Sequence, residues 1–454
     1  MVKEVKTERS NQLGIEAMTL ELAWFQKVCN TRMRLYFNLE TEHKSIHEHR
    51  LPELPADSPY AQFITQNQLD FSERFVLMLA LVPHIRPQLL DVFYNKNTTY
   101  DRGYTEFGGI KGVTHGGFLP TGETALFVLA GTDLQKRQKE AALFDREHLF
   151  ARKDVIRLEG AATGEPIMSG ALQLQAEFLY AFTSGKKYHP SYGADFPAKY
   201  ISTEMDWCDL VLDEDVLKQV QEIDAWITHE HQLMEEWGLG RVLKRGYRSL
   251  FYGPPGTGKT LTACLLGKST GLDVYRVDLS LIVSKYIGET EKNLSKVFDQ
   301  AEHRKWILFF DEADALFGKR TQTSSSNDRH ANQEVAYLLQ RVEDFPGIVI
   351  LATNLKGNID EAFARRFQSM IHFPMPEYFQ RKQIWESSFS NKTTFEEGFN
   401  LDKIAFDYEL AGGSIVNIMR LASLKAASRS ENIIRMPDVL EGIKREFAKE
   451  GKTV

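Results

Sequence analysis

The sequence predicts an α/β fold in which a parallel sheet is followed by an all-helical segment. A glycine-rich run, residues 253–260 (GPPGTGKT), lies between a strand-like stretch and a helix-like one. Two further short apolar runs, 306–310 and 347–352, read as buried strands, and each ends in polar residues. From residue 376 onward the apolar residues repeat at helical spacing. This order of patterns favours a sheet domain with a helical domain behind it.

The glycine-rich run has the form of a phosphate-binding loop, with a strand-like stretch at 249–252 and a helix-like stretch at 261–267. Its glycines allow backbone N–H groups to point inward at phosphate oxygens. Lys259 adds a positive charge for the β- and γ-phosphates, and the Thr260 hydroxyl can bind Mg²⁺. The predicted nucleotide-binding residues of this run are Gly253, Pro254, Pro255, Gly256, Thr257, Gly258, Lys259, Thr260 and Leu261.

Acidic and amide side chains follow the two other strand-like runs. Asp311 and Glu312 come after 306–310, and Asn354 comes after 347–352. Ligands of parallel α/β sheets bind at the carboxyl ends of the strands. Asp311 is suited to hold Mg²⁺ through water, and Asn354 to orient an attacking water. Glu312 is suited to polarise that water, a role worth roughly 10²–10⁴ in rate. The sequence therefore predicts a nucleotide hydrolase.

Taken in order, these motifs resemble the AAA clade of the AAA+ ATPases across residues 206–450. GPPGTGKT looks like Walker A, and LFFDEAD (308–314) looks like Walker B. LATN (351–354) resembles sensor 1, and IDEAFARRF (359–367) resembles the second region of homology. The resemblance implies a P-loop NTPase core with a helical lid, ATP and Mg²⁺ as cofactors, and a ring of identical subunits, usually a hexamer.

Two further sets of residues take their roles from this resemblance. The adjacent Arg365 and Arg366 correspond to arginines that reach into the ATP site of the neighbouring subunit. Such an arginine, supplied in trans, is worth about 10³–10⁵ in rate. Gly412 and Gly413 occupy the sensor 2 region, where the resemblance implies packing against adenine and ribose rather than a charge contact.

Residues 284–294 (SKYIGETEKNL) resemble the first pore loop of AAA proteins that thread their substrates. An aromatic ring can grip an extended polypeptide of almost any sequence, and a glycine lets the loop move with the nucleotide cycle. The alternative is that the apolar pair belongs to the core ahead of a helix starting near Glu289. Residues 320–330 predict a mobile loop where a second pore loop would fall. The predicted substrate-contacting residues are Lys285, Tyr286, Ile287 and Gly288.

The sequence predicts three domains, with bounds 1–205, 206–375 and 376–454. The ATPase domain is entered by a helix with Val216, Val220, Ile223 and Ile227 on one face. The lid helices are predicted at 377–389, 401–408, 414–429 and 437–449.

The first domain is predicted to be mainly helical with short strands, a mixture typical of a winged-helix variant. One of its helices is expected to be opened by Asp70 and Glu73 and closed by Pro83. Its predicted helices are 13–37, 70–82, 124–131, 134–150 and 177–183, with strands near 155–158 and 172–174.

Composition limits the partners and the compartment. The net charge of −7 and the lack of a Lys/Arg cluster favour a protein partner over nucleic acid. Three scattered cysteines indicate no disulfide framework. The longest apolar run, 75–82, is far shorter than the ~20 residues that span a bilayer. With an N-terminus that lacks a signal-peptide core, the expected location is cytoplasmic and without a membrane partner.

No metal other than Mg²⁺ is predicted. Histidines cluster at 43, 47 and 49 and again at 229 and 231, but neither group forms the His-Glu-x-x-His pattern of a zinc protease. His43 and His47 share a predicted helical face, for which a solvated polar surface is the favoured interpretation.

The favoured function is an ATP-driven protein remodeller or unfoldase. Residues 120–131 (PTGETALFVLAG) and 195–207 (DFPAKYISTEMDW), together with the ATPase, resemble bacterial AAA proteins encoded beside phage-tail-like contractile injection systems. That resemblance implies a role in assembly or turnover of such a particle. Two alternatives remain open. One is a DNA-associated ATPase that reads nucleic acid through its first domain, and the other is a scaffold that assembles on ATP without threading anything.

Overall fold

In the computed structural model the chain forms two compact units, residues 1–189 and 190–454. The structure describes residues 2–161, 163–193, 196–279, 289–313, 336–354, 364–449 and 451. The division falls earlier than the predicted boundary at 205. The reason is that Ala198–Ile201 forms a strand that pairs with the sheet of the second unit.

The first unit is mainly helical, as expected. Its described α-helices are α1 (Val2–Tyr36), α2 (Pro59–Asn67), α3 (Phe71–Ile85), α4 (Gly122–Ala130), α5 (Leu134–Ala141), α6 (Leu149–Arg152) and α7 (Ala176–Ser184). Short antiparallel ladders pair β1 (Lys96–Asn97) with β2 (Arg102–Gly103), β3 (Ile110–Lys111) with β4 (Phe118–Leu119), and β5 (Ile156–Leu158) with β6 (Leu172–Leu174). The winged-helix interpretation of this unit stays a prediction.

Helix α3 is the central element of the first unit. Its residues from Phe75 to Val82 are at most 1% exposed, so the helix is apolar on every side. The predicted capping box is confirmed: the Glu73 N–H donates to Asp70 Oδ1 at 2.9 Å, and the Asp70 N–H donates to Glu73 Oε2 at 2.8 Å.

A buried ion pair fixes α1 against α3. The Arg74 guanidinium donates to both carboxylate oxygens of Glu21, at 3.0 and 2.5 Å, and the Tyr60 hydroxyl donates to the same carboxylate. Burial raises the pKa of Glu21, and Arg74 opposes that rise. The cost of desolvating both charges offsets much of the attraction within such a pair, whereas removing one partner alone would leave a buried charge uncompensated.

The predicted helices of the first unit differ from the structure in several places. Helix α1 begins at Val2 rather than at residue 13, and α2 was not predicted. Helix α3 continues through Pro83 to Ile85, and the hydrogen bond from the Arg86 N–H to the Val82 carbonyl, at 2.9 Å, is retained beyond the proline. The single helix expected at 134–150 is instead α5 and α6 with a 3₁₀ turn between them. The break follows from His148, whose Nδ1 accepts the Phe150 N–H and starts a new helix.

The second unit contains a six-stranded, mainly parallel sheet. Its strands are β7 (Ala198–Ile201), β8 (Tyr247–Tyr252), β9 (Val274–Val277), β10 (Ile307–Phe310), β11 (Ile348–Thr353) and β12 (Ser369–His372). They lie in the order β12-β8-β11-β10-β9-β7, and β7 alone among them runs antiparallel, against β9. This confirms the predicted α/β core.

Helices cover both faces of this sheet. Helix α8 (Glu214–His231) follows the N-cap Asp213. Its predicted buried face is confirmed, because Val216, Val220 and Ile223 are buried and Ile227 packs against the same core. Residues 336–344 are also helical. The described helices here are α8 (Glu214–His231), α9 (Lys259–Thr270) and α10 (Glu289–Arg304).

The C-terminal part of the second unit has a core of its own, centred on Trp385, Ile415 and Ile443. Its helices confirm the expected all-helical pattern, and a short parallel ladder of Thr394–Phe395 with Ile433–Ile434 is added to them. The helices are α11 (Tyr378–Ser388), α12 (Leu401–Asp407), α13 (Gly412–Ser428) and α14 (Met436–Lys449).

Within the described ranges, no single helix combines the length and the apolar content needed to cross a bilayer. Phe71–Ile85 and Pro87–Tyr94 reach that composition only together, and the chain bends by 107° between them.

Replacing Asp70 with Ala is expected to weaken α3, because the capping box loses its hydrogen bonds. Loss of an N-cap costs about 1 kcal/mol, which is roughly a fivefold increase in local opening. Hydrogen–deuterium exchange of a peptide covering 70–85 measures this. Asp57→Ala, which removes an exposed loop carboxylate, is the control. Equal exchange in the two variants would contradict the role of the cap.

Candidate functional site

The glycine-rich loop follows β8 and adopts a backbone that its glycines make possible. Gly253 has a φ of 145°, and a Cβ at this position would lie 2.1 Å from the Phe373 carbonyl oxygen. Gly256 and Gly258 also have positive φ, at 76° and 102°. These angles strain residues that carry a Cβ. The loop can therefore curl tightly between β8 and α9.

A cleft of about 1150 Å³ opens beside this loop. The predicted residues from Pro255 to Leu261 line it, whereas Gly253 and Pro254 lie behind it and help shape the turn. Asp311, Glu312 and Asn354 also line the cleft. Three separate stretches of sequence thus meet at one edge of the sheet, as the motifs predicted.

Lys259 connects two of these stretches. Its ammonium donates to the carbonyls of Gly253 at 2.7 Å and Pro254 at 2.8 Å, and to Asn354 Oδ1 at 3.1 Å. The side chain is only 8% exposed. A phosphate bound in the loop would compete for the same protons, so the lysine is already aimed at the phosphate position.

The acidic pair lies at the end of β10. The Glu312 N–H donates to Asp311 Oδ1 at 3.1 Å, and Glu312 has a left-handed backbone with φ of 51°. A non-glycine residue in this region costs of order 1 kcal/mol. The following Ala313 holds the turn, because its N–H donates to the Ala352 carbonyl of β11 at 2.9 Å. Glu312 is thereby exposed toward the cleft.

The donor atoms present suit a hydrated Mg²⁺. Thr260 and Asp311 offer a hydroxyl and a carboxylate to the same cleft. Mg²⁺ binds oxygen ligands and usually keeps several waters beside one or two carboxylates and substrate phosphates. Among the described residues, no group of three or more His, Cys, Asp or Glu side chains forms another metal site.

The lid glycines pack directly against the loop. The Gly413 N–H donates to the Gly256 carbonyl at 2.9 Å, and a Cβ on Gly413 would lie 3.1 Å from Gly256 Cα. Both Gly412 and Gly413 line the cleft, so the structure places them where the motif predicted. Their contact with adenine and ribose stays a prediction.

Sequence reasoning missed one wall of the cleft, formed by Leu210–Asp213 before α8 and by side chains of the lid. A Cβ on Gly258 would lie 2.9 Å from Leu210 Cδ1, so this linker rests on the loop itself. The only sign of this wall in the sequence is that residues 210–212 immediately precede Asp213, the N-cap of α8. The apolar lining residues of this wall are Leu210, Val211, Leu212, Ile384, Val416 and Met419.

Arg365 and Arg366 lie elsewhere. Both are exposed, and neither lines the cleft of its own subunit. Arg366 Nε is 3.7 Å from a carboxylate oxygen of Glu343. Among the described lining residues, Lys259 is the single Lys or Arg, and several carboxylates line the same cleft. The predicted pore-loop residues 285–288 and the loop at 320–330 lie outside the described residues.

Comparison with known proteins identifies the central segment. Residues 249–375 match the model of the family described as "ATPase family associated with various cellular activities (AAA)". This segment is therefore similar to AAA ATPase domains, and the match includes the glycine-rich loop, the acidic pair and the arginine pair.

Individual relatives match over part of their length. An uncharacterized AAA family ATPase, y4kL, of Sinorhizobium fredii is 40% identical over 30% of this chain and 41% of its own. Cell division protein C of Sulfolobus acidocaldarius is 32% identical over 44% and 54%. A 26S proteasome regulatory subunit 6B homolog of Dictyostelium discoideum is 31% identical over 52% and 59%. The chain spans about half the length of these curated relatives.

Replacing Gly413 with Ala is expected to weaken ATP binding about tenfold, because overpacking of a close contact costs roughly 1–3 kcal/mol. Gly412→Ala is the matched control, since its Cβ would meet the Gly256 carbonyl oxygen at an ordinary 3.4 Å. Calorimetric titration with ATP compares the two. Equal affinities would show that the approach of the lid to the loop does not shape the site.

Proposed function

We propose that this chain is a Mg²⁺-dependent ATPase that assembles with copies of itself into a ring, usually a hexamer in proteins of this kind, and uses ATP hydrolysis to remodel protein substrates. One observation carries the proposal. The cleft brings together all the predicted hydrolytic residues except the arginine pair, which is exposed outside it.

Each described group has a specific task in this proposal. The loop N–H groups and Lys259 bind the β- and γ-phosphates. Glu312 accepts a proton from the attacking water, and Asn354 holds that water in line. Thr260 and Asp311 would hold Mg²⁺, which supplies neutralisation of phosphate charge. Leu210 and Met419 offer an apolar surface for the base.

A second subunit supplies positive charge to this cleft. The phosphates of ATP carry several negative charges, yet among the described residues that line the cleft there is one cationic side chain beside five carboxylate residues. Charge that develops on the γ-phosphate is best stabilised by a preorganised cation. Arg365 and Arg366 are exposed and free of the cleft, so they suit delivery to the cleft of the next copy.

The substrate class rests on similarity. The proteasome regulatory subunit named above is a relative, and residues 285–288 resemble a substrate-gripping loop. We further propose a client in a contractile injection system, supported by the resemblance of residues 120–131 and 195–207 alone. None of the three relatives named above carries that description. A cytoplasmic location accompanies the proposal.

Glu312→Gln is expected to bind ATP normally and to lower turnover roughly 10²–10⁴-fold, because the amide cannot accept the proton of the water. Lys259→Ala is expected to lose ATP binding instead. Calorimetry and phosphate release separate the two effects. Full turnover in Glu312→Gln would remove this residue from the mechanism.

The same pair of variants identifies the client. Tagged Glu312→Gln is expressed in the native host and held in ATP, and the retained molecules are identified by mass spectrometry against Lys259→Ala. Sheath, tube or baseplate proteins would support the injection-system proposal. Specific enrichment of nucleic acid would favour a DNA-associated ATPase, and an empty ring would favour a scaffold.

Arg365→Ala is expected to be nearly inactive alone, since an arginine in trans is worth about 10³–10⁵ in rate. Mixing it with Lys259→Ala should restore part of the hydrolysis, because each variant retains the group that the other lacks. Phosphate release is measured in mixed rings whose composition is verified by mass spectrometry. Mixed rings that stay inactive would contradict an arginine supplied in trans.

A further inference from the structure

Arg248 is a charged residue buried in the sheet, and the proposed hydrolysis makes no use of it. It lies in β8, the strand that ends at the phosphate-binding loop, and is 3% exposed. Burial lowers its pKa, while Glu343 and Asp344 act in the opposite direction. An arginine nevertheless stays charged in proteins, so its donors need acceptors.

Gln368 supplies the first acceptor. Its Oε1 accepts both the Arg248 backbone N–H at 2.8 Å and the Arg248 Nε–H at 3.2 Å. In return, the Gln368 backbone N–H donates to the Arg248 carbonyl at 2.9 Å. Gln368 follows the arginine pair with only Phe367 between them. The strand is thus tied to the segment that carries Arg365 and Arg366.

Glu343 supplies a second link to the same segment. Its carbonyl accepts a hydrogen bond from Arg248 Nη1, and its carboxylate lies 3.7 Å from Arg366 Nε. Phe367 packs against the core of the sheet, and its N–H donates to the Ala364 carbonyl at 3.2 Å. The backbone that follows the arginine pair is therefore anchored to the sheet, although both arginine side chains are exposed.

We propose that Arg248 and Gln368 are positioning residues for the arginine pair, fixing how far Arg365 and Arg366 reach toward the neighbouring subunit. The inference rests on the proposed function, in which those arginines act in trans. A displacement of about 1 Å in a reacting group costs on the order of 10²-fold in rate. An exposed arginine on a loose backbone would also lose more conformational entropy on binding a phosphate.

The hydrogen bonds between Arg248 and Gln368 give β8 two roles in the subunit. One end of β8 leads into the phosphate-binding loop, and Arg248 near its other end holds the arginine pair. This strand therefore adjoins the phosphate-binding loop at one end and, through Gln368, the segment of the arginine pair at the other.

Gln368 allows a test because its own side chain is exposed, so substitution there adds no bulk to the core. Gln368→Leu removes the acceptor oxygen, whereas Gln368→Glu keeps an oxygen for the same two donors. Gln368→Leu is expected to lower ATP turnover about tenfold to hundredfold, with ATP affinity within about twofold of the parent. Gln368→Glu is expected to retain turnover within about threefold.

Mixed rings show whether the defect lies in the arginine that is given or in the site that receives it. Gln368→Leu should recover turnover when mixed with Lys259→Ala, which supplies an intact arginine. It should not recover with Arg365→Ala, which has the same deficiency. A fall in ATP affinity that matches the fall in turnover, equal losses in Gln368→Leu and Gln368→Glu, or recovery with Arg365→Ala would each overturn the inference.

Comparing Arg365→Ala with Gln368→Leu distinguishes failure of this inference from failure of the proposed function. If Arg365→Ala alone keeps full turnover, the proposed arginine in trans fails, and the inference fails with it. If Arg365→Ala is inactive and Gln368→Leu is fully active, only the positioning role fails.

Discussion

Parallel pairing of β8, β10 and β11 is the constraint on which the site depends. Tyr252 lies opposite Thr353, and Phe310 lies opposite Leu351. Because parallel strands in this register end at the same edge of the sheet, the residues that follow the strands lie close together there. The hydrogen bond from Lys259 to Asn354 is the direct product of that pairing. A slip of one residue would move each buried side chain of a strand to the opposite face of the sheet, against a different core, so packing on both faces enforces the register.

The lid completes the cleft by packing against the phosphate-binding loop. Gly256 and Gly413 approach so closely that their backbones hydrogen bond at 2.9 Å. The two backbones can approach this closely because neither glycine has a side chain. It places the apolar surface of α13 beside the phosphate-binding loop, while Leu210 rests on that loop from the linker. The cleft is thus built by three parts of the second unit.

The sequence predicted the features that local chemistry determines. The loop, Asp311, Glu312, Asn354 and nearly all helices of the second unit were foreseen from spacing and caps. Contacts between distant segments carried no such signal. Strand β7 was assigned to the first domain because nothing in its four residues shows that it pairs with β9. Arg248 was overlooked because a basic residue within a strand gives no hint of an acceptor at Gln368. The prediction that Pro83 ends its helix was wrong for a different reason, since the Arg86 N–H still donates to the Val82 carbonyl beyond the proline.

ATP turnover per subunit, measured against protein concentration alongside sedimentation velocity, tests most directly whether one chain completes its own site. We expect dilute monomer to hydrolyse ATP slowly, and turnover per subunit to rise steeply over the concentrations at which the oligomer forms. That rise should disappear in Arg365→Ala, even though its subunits still assemble. Turnover per subunit that is the same in monomer and oligomer would contradict a site completed by its neighbour.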